Sequence, residues 1–182
     1  AGRCIQKSYA NGLDAYHEEE SDRYKSGELY NVDSIKIGKA RKFQTLVKKR
    51  PVYDAGGIIP DVFVPIDTAA DNRLLNRLYK KNCFTLFVFD KTETNRAAYL
   101  KSGLNGFLIA DIISDDELES FHRFAETQGI KADAASWNRS EETIRKYLKA
   151  AIARIIWSDE GYISVMNVND KLVQKAVEEL KK

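Results

Sequence analysis

The apolar positions of this chain change their rhythm near Thr68. From there to the C-terminus they recur at spacings of three and four, the repeat of a helix with one buried face. Leu74, Leu75, Leu78 and Tyr79 fall on one side of a first predicted helix, with Asp67 or Thr68 placed to cap it. Residues 84–89 (Phe-Thr-Leu-Phe-Val-Phe) have no decisive period, and read either as a buried strand or, preferably, as the apolar start of a helix reaching Leu100. Residues 104–113, with Gly106 inside, predict a loop or a short extended segment. Ser114-Asp115-Asp116-Glu117 is a capping box, in which the Ser hydroxyl accepts from the third helical amide and the Glu reaches back to the cap's own amide. Leu118, Phe121 and Ala125 then mark a buried face, and Gly129 a stop. Ile144, Leu148, Ala151, Ile152 and Ile155 form the most regular stripe, with Glu141 and Glu142 near its start, where the helix dipole favours negative charge. Asn169 opens a last predicted helix with Leu172, Val173, Ala176, Val177 and Leu180 on its apolar side.

Before Thr68 the pattern is short and interrupted. Arg3 to Gln6 alternates weakly, as a strand end does, and Asn11-Gly12 signals a turn. An acidic patch (Asp14, Glu18, Glu19, Glu20, Asp22) predicts a short helix closed by Gly27. The sign then reverses: Lys36, Lys39, Arg41, Lys42, Lys48, Lys49 and Arg50 follow with no acid among them, interleaved with Phe43, Leu46 and Val47. Gly56-Gly57 supplies backbone freedom for a tight turn, with φ > 0 expected at Gly57, and Pro60 pushes Ile59 towards an extended conformation. Val62-Phe63-Val64, closed by Pro65, reads as a short buried strand. The expected fold class is α+β. Short strands and a long insert occupy the N-terminal third (residues 1–66, insert 7–56), and a bundle-like helical region the C-terminal two-thirds (residues 67–182).

Composition narrows the function classes. At 182 residues, 43% hydrophobic and 31% charged, the chain has the make-up of an ordinary globular protein. A net charge of +2 is too small to argue for nucleic acid or an anionic membrane as partner, and no apolar run approaches the roughly 20 residues of a membrane span. Cys4 and Cys83 have no metal-ligand spacing and are expected to be unpaired, packed thiols, a disulfide being the alternative in an exported protein.

Tests for chemistry are negative. No Ser lies in a Gly-x-Ser-x-Gly elbow or precedes a Lys by three residues. Lys25-Ser26-Gly27 reads as a turn. His17 among glutamates reads as a solvated acidic face, and Glu119-x-x-His122 lacks the second Glu-x-x-His that a di-iron site needs. The pairs Asp115-Asp116, Glu141-Glu142 and Glu178-Glu179 belong to helix ends and polar faces. Accordingly, no catalytic, cofactor-binding or metal-binding residue is assigned. The basic stretch 36–50 reads first as a solvated insert that balances the acidic patch; the alternative is a non-enzymatic binding module that meets nucleic acid or an acidic partner there.

Two short motifs carry a resemblance. Gly57-Ile58-Ile59-Pro60-Asp61 resembles the Gly-Ile-x-Pro-Asp motif of the carboxyl-terminal processing peptidases, or tail-specific proteases. Gly2-Arg3-Cys4-Ile5-Gln6 is similar to the Gly-Arg-x-Ile-Gln segment that precedes it in that family, although here residues 7–56 intervene. The resemblance covers about the first third of the chain. It implies a serine endopeptidase with a Ser/Lys dyad upstream of both motifs, and hence a chain that is inactive by itself. It also implies polypeptide substrates, no cofactor, a cell-envelope or periplasmic location, and strand edges that invite self-association. Nucleic acid and a membrane-spanning segment are not expected.

Overall fold

The structure, a computed structural model, describes residues 10, 12–34, 42–53, 62–66 and 72–182. The chain divides into two compact units, residues 1–66 and 67–182. Both peptidase-like motifs, Cys4, the strand end 3–6 and the Gly56-Gly57 turn lie outside the described residues, as do Asp67 and Thr68.

In the first unit, helix α1 (Leu13–Ser26) carries the acidic patch and ends at Gly27, whose φ of 83° is the left-handed conformation that suits glycine. A single 3₁₀ turn, Val32–Ser34, follows. Among the described residues the sheet is one antiparallel pair, β1 (Lys42–Gln44) and β2 (Pro51–Tyr53), with Phe43 opposite Val52. Residues 62–64 are not a strand: Val62 lies in a bend and is 36% exposed, and the chain runs irregularly to Ile66. The segment is held instead by the Ile66 amide donating to the Leu29 carbonyl at 3.1 Å.

The described residues of the second unit form five helices: α2 (Asn72–Lys80), α3 (Cys83–Ile109), α4 (Asp115–Thr127), α5 (Ala134–Asn167) and α6 (Lys171–Leu180). Leu74 and Leu78 are buried as their spacing predicts, but Tyr79 is 64% exposed. Residues 84–89 are helical, and α3 continues beyond Leu100 instead of giving way to a loop. Gly103, with φ 66° and ψ 167°, breaks the helix, and residues 104–109 resume it. That bend folds Phe107 back on Tyr99, with ring centroids 5.3 Å apart, and buries Phe107 almost completely. A loop covers only the rest of the expected stretch.

Helix α4 has the predicted capping box: Glu117 N donates to Ser114 Oγ at 3.3 Å, and Ser114 N donates to Glu117 Oε2 at 2.9 Å. It closes with a Schellman motif. Gly129 (φ 74°) donates to the Glu126 carbonyl at 2.9 Å, and Ile130 donates to the Ala125 carbonyl at 3.0 Å, with both apolar residues fully buried.

Helix α5 is a helical hairpin. Trp157 (φ −123°) and Ser158 (φ 56°, ψ −146°) leave helical geometry, and the second arm returns along the first. Lys146 Nζ reaches the Val168 carbonyl at 3.0 Å, and Gly161 packs on the Ala153 carbonyl. The first arm buries Ile144, Leu148 and Ile152, all at 0% exposure, and the second Gly161 and Val165; α5 packs on α3 and α2. Phe84 and Phe121 stack at 5.4 Å in the centre of this core, and Phe84 also meets Tyr147 at 5.2 Å.

Helix α6 starts one residue later than expected. Asp170 is the cap, its Oδ1 accepting from Val173 N at 2.9 Å, while Asn169 takes a left-handed conformation (φ 58°). Its apolar stripe is largely exposed, with Leu172 at 62% and Leu180 at 87%.

The α5 bend yields two substitutions of opposite sign. A Cβ at Gly161 would lie 2.5 Å from the Ala153 carbonyl oxygen and 2.9 Å from Trp157 Cβ, so Gly161→Ala should destabilise the protein by about 1–3 kcal/mol. Ser158 occupies a backbone region suited to glycine, so Ser158→Gly should stabilise it by about 1 kcal/mol. Chemical denaturation of both variants checks the geometry of the turn.

Candidate functional site

Of the residues singled out for chemistry, Asp115, Glu119, His122 and Glu141 come together around one groove between α4 and α5. His17 and Glu18 lie exposed on α1, and on α6 Glu178 is exposed and Glu179 half-buried. Among the described residues, no group of three or more His, Cys, Asp or Glu side chains could hold a metal ion. Cys83 is free and buried, and burial raises its thiol pKa, the reverse of what a nucleophile needs. The hydroxyls of Ser102 and Ser120 donate to the carbonyls of Tyr99 and Asp116 at 2.8 Å each, and Ser114 serves its capping box. Those are structural duties.

Instead, the helical unit concentrates its polar chemistry on two interhelical loops. Each loop buries an isoleucine, Ile113 between α3 and α4 and Ile130 between α4 and α5. Long cationic side chains meet backbone carbonyls in and beside these loops. Around the first loop, Lys149 Nζ donates to the Leu108 and Ala110 carbonyls at 2.8 and 2.7 Å. Lys91 Nζ donates to the Ile112 carbonyl at 3.0 Å, and Arg145 Nη1 to the Ile113 carbonyl at 2.7 Å. Around the second, Arg77 donates to Lys131 and Gly129 at 2.9 and 3.4 Å, and Lys81 to Gln128.

Carboxylates complete the arrangement. Arg145 also pairs with Glu141 at 2.9 Å and with Asp115, and the Glu141 hydrogen bond leads the effects that hold its guanidinium charged. Burial works against the charged form of Glu117, but hydrogen bonds from Lys91 and the Ser114 amide outweigh it and keep the carboxyl below its ordinary range. Burial lowers the pKa of Lys149, with Asp111 opposing. Phe107 lies under that ammonium, 5.6 Å from ring centroid to Nζ.

Beside the Arg145 cluster, α4 and α5 leave an open groove of about 240 Å³. Leu118, Trp137 and Ile144 form its apolar part, and Asp115, Glu119, Glu141 and Arg145 its polar rim. The His122 ring lies 4.2 Å from that of Trp137, and the buried Trp137 indole N–H has no acceptor among the described residues. The residues lining the groove include no nucleophile–base pair. Trp137, Lys91 and Arg145 escaped the sequence reading. Trp137 does precede Ile144 by seven residues on the α5 stripe, a signal that marks its buried side but not the groove.

A family described as "Family of unknown function (DUF8443)" matches residues 74–159. The matched stretch runs from α2 to just past the α5 bend and includes both cation-bound loops and the groove. No curated protein and no solved structure matches the chain.

Acid should probe the Lys91–Glu117 contact selectively. Because Glu117 titrates lower in the folded chain than its unfolded value of about 4.3, its stabilisation is complete above that pH and lost as pH falls through the lower folded value. Glu117→Gln should therefore flatten the stability–pH curve below about pH 4.5. Lys91→Met should destabilise by about 1–3 kcal/mol at neutral pH, by leaving the Ile112 carbonyl and the Oε1 of Glu117 without the ammonium that serves both. Urea titrations at several pH values measure both.

Proposed function

We propose that this chain is the C-terminal region of a carboxyl-terminal processing serine endopeptidase, acting on polypeptides in the cell envelope or periplasm. The observation that carries the reading is the pair of motifs Gly2–Gln6 and Gly57–Asp61, in the family's order. In such an enzyme a Ser attacks the peptide carbonyl, a Lys kept neutral by burial takes its proton, and backbone amides hold the oxyanion. The dyad belongs to the parent protein, N-terminal to Gly2. The residues here supply the end of the peptidase core and a helical accessory unit. Two observations support the accessory role: the hydroxyls of Ser102, Ser114 and Ser120 are committed to backbone or capping bonds, and the α4–α5 groove pairs an apolar floor with a rim of carboxylates. That groove receives substrate side chains.

The chain alone should therefore not cleave an unfolded polypeptide with an apolar C-terminus over a long incubation, whereas a longer chain carrying the upstream Ser and Lys should. A Ser without an organised base is a poor nucleophile, and losing a catalytic unit removes several orders of magnitude in rate. Cleavage by the short chain, abolished by mutating one of its own serines, would place the active site here instead. In the longer chain, Leu118→Lys should raise KM with kcat unchanged; an unaltered KM would remove the groove from the reading.

A further inference from the structure

The β1–β2 hairpin is built in a way that its surroundings do not use. Thr45 N donates to the Arg50 carbonyl at 2.9 Å, and Arg50 N donates back to Thr45 Oγ1 at 2.9 Å, so residues 46–49 are closed into a short loop. Lys49 takes a left-handed conformation (φ 51°) inside it. This geometry puts two aliphatic side chains at the apex, Leu46 at 74% and Val47 at 90% exposure. Lys48 and Lys49 follow immediately, Lys42 is exposed on β1, and no acid occurs between residues 42 and 53. A solvated connection has no need of adjacent bare Leu and Val, and a hairpin register does not require them.

We propose that this hairpin tip docks on an anionic lipid surface, with Leu46 and Val47 entering the headgroup–acyl boundary and Lys42, Lys48 and Lys49 lying over acidic headgroups. The occupant follows from the pairing of chemistries. Cations alone would suit any polyanion, but an aliphatic apex between them matches an interface that is charged outside and apolar just beneath. Single-stranded nucleic acid would be met by exposed aromatic rings, on which bases stack. The apex has none, and the nearest described ring, Phe43, is half-buried on β1. The inference does not rest on the peptidase reading.

The test is co-sedimentation of the full chain with phosphatidylcholine vesicles, with and without roughly 30 mol% phosphatidylserine, at two salt concentrations. The chain should bind the anionic vesicles only, and less at high salt. Lys48→Gln with Lys49→Gln should weaken binding by about fivefold per charge removed. Leu46→Ser with Val47→Ser should weaken it by at least about tenfold. Val47→Trp should bind at least as well as wild type and shift its emission to the blue on vesicle addition. All these positions are exposed, so the fold does not depend on them. Absence of wild-type binding, or serine variants that bind as well as wild type, would overturn the proposal. Tight binding to a single-stranded oligonucleotide, lost on neutralising the lysines but not on changing Leu46 and Val47, would assign the patch to nucleic acid instead.

Discussion

Buried loops govern the second unit of this protein. Packing Ile113 and Ile130 into the core gains apolar burial, and the part-buried carbonyls around Ile113 must still find donors, since an unpaired carbonyl away from water costs as much as a typical hydrogen bond contributes or more. Helix ends make the demand sharper, because the last carbonyls of α3 and α4 have no intrahelical partner. The chain meets it with Lys149, Lys91 and Arg145 at one loop and Arg77 and Lys81 at the other. Each spans from one helix to the end or loop of another, so the same bonds that satisfy the carbonyls fix how α2, α3, α4 and α5 meet. The Schellman closure at Gly129 and the capping box at Ser114 then set where α4 begins and ends.

Local chemistry was readable wherever a short motif decides the structure. The Ser114–Glu117 box, the stops at Gly27 and Gly129 and the α5 stripe are all determined within a few residues. What escaped depends on distance in the chain. Nothing local says that Gly103 interrupts a helix which then resumes, because the resumption is driven by Phe107 packing on Tyr99 and Trp157. The α5 hairpin has the same origin: Ser158 is strained, and the strain is tolerated because Gly161 and Val165 gain a place on the first arm. Val62-Phe63-Val64 has the composition of a strand but no partner in the described residues, and composition alone does not form a sheet. The cation–carbonyl bonds were invisible for a simpler reason: surface lysines and those that reach a buried loop look alike in a sequence.

The same contrast holds for function. The motifs that carry the peptidase reading are short backbone devices, legible as strings, whereas the groove between α4 and α5 exists only once Leu118, Trp137 and Ile144 are brought together. The hairpin tip lies between these cases, since its residues are contiguous but their joint exposure requires the turn that Thr45 and Arg50 close. Helix α6 marks the other limit: a regular amphipathic pattern whose apolar side stays largely exposed.

Native-state hydrogen exchange tests most directly whether the two loops are integral to the core. The informative probe is the Ile130 amide, bonded to the Ala125 carbonyl at 3.0 Å, compared with amides in the middle of α5 near Leu148. If the cations clamp the loops as the geometry indicates, Ile130 and Leu148 will exchange with the same free energy, that of global unfolding. Exchange at Ile130 by a separate opening several kcal/mol easier than at Leu148 would show that the loops are passive connections, and would contradict the account.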